Sequence, residues 1–176
     1  MFLTIYVLAV LVAIVGSILL YKEYLRHTNA QYINGISFKE GLDLTSFPII
    51  TLTNNDTKLN FLLDTGSSVS HIDKSLVPVL KTTVSHYKMN IMGVEGNAVS
   101  TNFCNMDVYY KDYVFNSDFA TSDLKGAFDS IKTETGVQLH GILGSDFFQR
   151  YRYIIDFNEL MAYPNKKWKK KVNRKK

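Results

Sequence analysis

The chain is short of the residues that build several common kinds of site. It has one cysteine, Cys104, in 176 residues. A disulfide framework within the chain and a cysteine-based zinc site are therefore excluded. Its four histidines, His27, His71, His86 and His140, show no metal-type spacing. They read as surface or edge residues, and His71 is the one close enough to the motif below to line a cleft. No metal and no organic cofactor is expected. Proline is scarce at three, while hydrophobic residues make up 46% and aromatic residues 13%. Such a chain is neither disordered nor collagen-like. No internal repeat is visible.

Charge is unevenly placed. The formal net charge is +4, but residues 166–176 carry eight basic side chains and no acid. The remainder holds 12 basic and 16 acidic groups, a mildly acidic body with a basic tail. A folded nucleic-acid-binding surface is not expected from that distribution. The tail, Lys166 to Lys176, has three readings: a solubilising end, a contact with an anionic lipid leaflet with Trp168 at the interface, or a nucleic-acid contact.

Met1 to Leu20 contains no charged side chain. About 20 apolar residues at ~1.5 Å each span a hydrocarbon core of roughly 30 Å. There is no basic region before this run and no small-x-small cleavage site after it, so it reads as an uncleaved anchor rather than a signal peptide. Lys22 and Arg26 on its C-terminal side place the following domain in the cytoplasm by the positive-inside rule. The expected organisation is an anchor over 1–21, a juxtamembrane stalk over 22–35, a folded domain over 36–163 and a tail over 164–176.

The domain has the texture of a β protein. Residues 48–53 and 58–63 form a hairpin about the turn Asn54-Asn55-Asp56. Further strands are predicted at 68–72, 87–92, 98–103, 106–110, 113–119 and 153–157. Helices are predicted over 122–132, where Leu124, Phe128 and Ile131 share a face, and over 145–151.

Two stretches carry chemistry. In Phe61-Leu62-Leu63-Asp64-Thr65-Gly66-Ser67-Ser68 an apolar strand runs into a carboxylate, then into a glycine and hydroxyl residues. A rigid strand end can fix Asp64, Gly66 permits close backbone approach, and the hydroxyls are donors able to hold a carboxylate. Taken alone, the segment fits both a catalytic carboxylate and an Asp-Thr-Gly turn closing a hairpin. The second stretch is Gly141-Ile142-Leu143-Gly144-Ser145-Asp146-Phe147-Phe148, 80 residues from Asp64 to Gly144.

Together and in this order, the two stretches resemble those of the retropepsin-like aspartic peptidases of the single-lobe bacterial and retrotransposon type. The resemblance covers roughly Ile36 to Tyr163. It implies a mostly β, closed single-lobe acid-protease barrel with one short C-terminal helix, here preceded by a transmembrane helix. It implies that Asp64 is catalytic, that the Thr65 hydroxyl braces the matching loop of a partner, that Gly66 belongs to that loop, and that Ser67 hydrogen-bonds the aspartate. Ile142, Leu143 and Gly144 match a structural motif packed against the loop. A flap closing over substrate falls between the motifs, and Gly93, Val94, Glu95 and Gly96 are its candidates.

Aspartic proteolysis needs two carboxylates sharing one proton, and this chain offers one. Glu134-Thr135-Gly136 does not follow an apolar strand and is not a second motif. The implied enzyme is a homodimeric, membrane-anchored endopeptidase acting on an extended peptide or protein. The competing reading is a catalytically silent member of the same fold serving as a binding or assembly module.

Overall fold

The computed structural model describes residues 10–24, 35–92 and 98–165. The chain divides into two compact units, Met1–Gly35 and Ile36–Lys176. In the first, residues 10–24 are helical (α1). This helix exposes Leu11, Val12, Val15, Leu19 and Leu20. Among the described residues no helix is long and apolar enough to cross a membrane. The expected span over 1–21 lies partly outside the described residues, as do the flap candidates Gly93, Val94, Glu95 and Gly96 and the tail from Lys166.

The second unit is built on the predicted hairpin. Strands β2 (Ile49–Asn54) and β3 (Thr57–Leu63) pair antiparallel in full register. Asn55 takes positive φ, 50°, in the turn between them, a conformation asparagine tolerates better than most residues. β3 buries Leu59, Phe61 and Leu63 and leaves Lys58, Asn60 and Leu62 on its other face. That alternation fixes its register against the core.

The later strands are β4 (His71–Asp73), β5 (Thr83–Met92), β6 (Ala98–Tyr110), β7 (Tyr113–Ser122) and β8 (Gly141–Leu143). They join the hairpin in the order β2-β3-β8-β4-β7-β6-β5, and a β2–β6 pairing at Thr53 and Tyr109 closes the sheet on itself. β8 is inserted between β3, which it meets parallel, and β4, which it meets antiparallel. Residues 80 apart in sequence thus become neighbours. The buried Asn54 side chain reinforces the closure, donating to the carbonyls of Asp107 (2.9 Å) and Lys81 and accepting from the Lys81 amide. A separate three-stranded sheet joins β1 (Ile36–Ser37), β10 (Met161–Pro164) and β9 (Tyr153–Asp156).

More helix is present than the single C-terminal one implied by the resemblance. α4 (Ser145–Tyr151) is that helix, but α2 (Lys39–Thr45), α3 (Lys125–Thr135) and a 3-10 turn at Lys74–Val79 accompany it. α2 is too short for a clear periodic signal. The 3-10 turn depends on Asp73, which is buried and accepts from the Ser75 amide through one oxygen and from the Leu124 amide through the other. One carboxylate therefore orders the 3-10 turn and the approach to α3. Glu134-Thr135-Gly136 is the end of α3, with Gly136 at φ 76° as its left-handed cap. The strands predicted separately at 98–103 and 106–110 are one, because Cys104 and Asn105 pair with both β5 and β7.

The core centres on aromatic packing. Phe115 contacts Phe147, Tyr151 and Tyr153 at centroid separations of 5.3, 4.9 and 5.8 Å. Phe147 and Tyr151 are four residues apart on α4, so one helix face meets the barrel. Cutting such a phenylalanine to alanine costs about 3–5 kcal/mol. Cys104 is buried, and burial pushes its thiol up to about 11. It is a packing residue, not a nucleophile.

His140 has a structural role not foreseen from sequence. Its Nδ1 accepts from the Asn60 amide at 3.0 Å, and its own amide donates to the Asn60 carbonyl at 2.9 Å. The ring docks the entry of β8 onto β3 and must be unprotonated at Nδ1 to do so. Burial, aided by Lys132, lowers its pKa from 6.5, and burial lowers that of His71 as well. The unfolded chain therefore takes up protons near pH 6.5 that the folded chain resists, and stability falls as pH drops through that value. Thermal unfolding followed from pH 7.5 to 5.5 is expected to show this fall. His140→Asn, whose carbonyl can accept without titrating, should make it shallower, and an unchanged slope would contradict the assignment.

Candidate active site

Asp64 is the first residue past β3, half-buried, and its position is set by backbone on both sides. Its amide donates to the Leu143 carbonyl at 3.0 Å, extending the β3–β8 pairing by one bond. Its Oδ1 accepts from the Gly66 amide at 2.9 Å. The residue between, Thr65, is exposed, and its hydroxyl has no hydrogen-bond partner among the described residues. Gly66 lies close against the carboxylate: a Cβ there would stand 3.2 Å from Asp64 Oδ1.

Ser67 differs from the implied role. Its hydroxyl donates to the Val69 carbonyl at 2.7 Å rather than to the aspartate, and its amide donates to the Asp64 carbonyl. The carboxylate is held by a backbone N–H, and the hydroxyl folds the loop on itself. A backbone donor carries no side-chain signature, so this division was not visible in the sequence.

Ile142, Leu143 and Gly144 are brought against this loop. Gly144 has no room for a side chain, since a Cβ would lie 2.5 Å from the Val69 carbonyl oxygen and 2.9 Å from that of Ser67. Ser145 then ties the loop down. Its amide donates to the Ser67 carbonyl and its hydroxyl to the Thr65 carbonyl, each at 2.8 Å. Sequence reasoning missed Ser145 and also Ser70. The fully buried Ser70 hydroxyl accepts from the Gly144 amide at 3.0 Å and donates to Asp146 Oδ1 at 2.7 Å. The pattern Gly144-Ser145-Asp146 was the available signal, but its partners lie more than 70 residues away.

His71 stands near the carboxylate. Its Nδ1 is 2.8 Å from the Ser122 hydroxyl. Burial lowers its pKa, and the charges of Asp146 and Asp64 act in the opposite direction. Asp156, on β9, caps the turn to β10 through the amides of Asn158 and Glu159 and plays no part in the site. No group of three or more histidine, cysteine, aspartate or glutamate residues arranged to hold a metal occurs among the described residues.

The aspartyl protease family matches residues 50–147, more than half of the chain and a span that includes the Asp64 stretch and Gly141 to Phe147 of the second. The chain belongs to this family. Among solved structures it is similar to the EIAV protease complexed with the inhibitor HBY-793, with 26% identity, a TM-score of 0.42, and coverage of 59% of this chain and 86% of that one. It is also similar to the retroviral protease-like domain of Ddi1 from Leishmania major, with 15% identity, a TM-score of 0.44, and coverage of 67% and 87%. No curated protein matches the chain.

The contacts at Gly144 give a direct test of how the loop is held. Gly144→Ala forces a methyl group against two backbone carbonyls, where nothing flexible can yield. Displacement of the loop should cost about 1–3 kcal/mol of stability in a denaturant titration. A variant as stable as the parent would show that the loop is not clamped there.

Proposed function

We propose that the protein is an aspartic endopeptidase whose active unit is a homodimer, with Asp64 of each copy contributing one carboxylate. The observation that carries this reading is the half-site itself. One carboxylate is fixed at a strand end by a backbone donor, beside an exposed Thr65 hydroxyl left without a partner among the described residues. A single lobe supplies half of the required pair, and two-fold symmetry supplies the other half. Thr65 is suited to bracing the opposing loop across the axis.

Two carboxylates held a few ångströms apart cannot both ionise, so the pair shares one proton. The ionised member takes a proton from a water whose oxygen bonds to the scissile carbonyl carbon. The protonated member donates to the carbonyl oxygen. The tetrahedral adduct then collapses, the C–N bond breaks, and a proton passes to the leaving nitrogen. Substrate binds extended, with backbone pairing.

The reading includes an N-terminal anchor. Residues 1–20 carry no charge, and the helical residues 10–20 are predominantly apolar and exposed. Lys22 and Arg26 favour a cytoplasmic peptidase domain, and the basic run Lys166–Lys176 suits an anionic leaflet on that side. Anchoring two copies in one membrane raises their effective concentration for pairing.

The test is peptide cleavage by the full chain in detergent micelles. Asp64→Asn should lower kcat by about 10²- to 10⁴-fold, and specific activity should rise with protein concentration as dimers form. Activity retained in Asp64→Asn would reject the assignment. A folded chain that binds peptides without cleaving any would favour the silent binding module instead.

A further inference from the structure

The hairpin of β5 and β6 is longer than the sheet that carries it. β6 pairs with β7 only from Phe103 to Tyr110, whereas its pairing with β5 runs on to Ala98 opposite Met92. Residues 88–92 and 98–102 therefore form a two-stranded arm, with no third strand beside them among the described residues. At the root of the arm the register jumps. Ser85 faces Phe103 and Lys88 faces Asn102, so two extra residues of β5 bulge out where β6 leaves β7. A bulge interrupts the ladder and bends its strand, which makes this the point where the arm changes angle. The Thr121 hydroxyl of β7 ties the root down, donating to the Asn102 carbonyl at 3.1 Å.

A cavity of about 500 Å³ opens at this root. Val77 and Pro78 of the 3-10 turn line it, with Val84 and Lys88 on the two sides of the bulge and Phe103 and Thr121 from the sheet. Neither the Asp64 loop nor His71 contributes to it. Val84 is 67% exposed, so this apolar rim is left uncovered by the chain. The charges at the cavity are of one sign. Lys74 and Lys88 border it, and no aspartate or glutamate does. Lys74 is paired with Asp123 at 2.6 Å, but Lys88 has no ion-pair partner among the described residues. A largely apolar recess with one unneutralised ammonium at its edge is complementary to an apolar body carrying a single anionic head.

We propose that this cavity is an effector site for a small organic carboxylate with an apolar body, and that the bound ligand stiffens the arm. The apolar body seats against Val77, Pro78 and Phe103, and the carboxylate accepts from the Lys88 ammonium. Such a ligand touches the 3-10 turn, the sheet and the arm together. Any opening of the arm at the bulge then has to break those contacts as well as the strand pairing, so occupancy suppresses that opening.

The experiment uses the full chain in detergent micelles, with 4-phenylbutyrate as the probe and 4-phenylbutanol as its uncharged counterpart. Equilibrium binding is read after subtracting uptake by empty micelles. The carboxylate should bind saturably and about 2- to 5-fold more tightly than the alcohol, the worth of one exposed ion pair. Lys88→Gln should remove that difference and leave the alcohol unchanged. Val84→Asp, which sets a negative charge on the rim, should weaken the carboxylate more than the alcohol; Lys88, being exposed, serves alone if the Val84 variant does not fold. At ten times the dissociation constant, hydrogen exchange of the amides in residues 88–92 and 98–102 should slow by about 10-fold. Binding that does not saturate, that is equal for the two probes, or that is unaltered in Lys88→Gln would overturn the proposal, as would saturation without slower exchange in the arm. Neither readout requires cleavage, so the result stands apart from that of Asp64→Asn.

Discussion

The bond from the Asp64 amide to the Leu143 carbonyl, 3.0 Å long, is where the two halves of the sequence motif become one object. It continues the parallel pairing of β3 and β8 past the last strand residue. The carboxylate therefore leaves the barrel at a height and direction set by the sheet and not by a loose loop. Beyond that bond, Gly144 lies against the carbonyls of Ser67 and Val69, and Ser145 donates to those of Thr65 and Ser67. The loop is gripped almost entirely through its backbone. Of its side chains, the Ser67 hydroxyl is spent on the Val69 carbonyl, whereas the Thr65 hydroxyl has no hydrogen-bond partner among the described residues.

The core supports this arrangement from below. β8 is only three residues long and would not hold a position alone. It is placed by β3 on one side and β4 on the other, by the His140–Asn60 contacts before it, and by α4 after it. α4 in turn is held by Phe147 and Tyr151 against Phe115. Damage to that aromatic cluster should reach the loop through α4 and β8.

What could be read from the sequence follows the range of each signal. Local patterns gave the β2–β3 hairpin, because alternation and the Asn55-Asp56 turn are contained within 15 residues. They also gave α4 between Ser145 and Tyr151, because the helix directly follows Gly144. The short α2 and the 3-10 turn after Asp73 were missed, since the latter depends on a carboxylate also engaged by Leu124, 51 residues away. In the site, Asp64, Thr65 and Gly66 stood out by residue type. The roles of Ser70 and Ser145 depend on which strands lie side by side, which no local pattern encodes. Ser67 was given a bond to the aspartate that the Gly66 amide makes instead, because a hydroxyl is visible in a sequence and a backbone donor is not.

The central claim is that one catalytic centre is made from two identical chains. The most direct measurement titrates the inert Asp64→Asn chain into the parent at constant total concentration, after exchange of subunits. If each active centre needs an intact carboxylate from both copies, activity falls with the square of the parent fraction, and an equal mixture retains about one quarter. A strictly proportional fall, with half the activity left in the equal mixture, would mean that a single chain carries a complete site and would contradict the account.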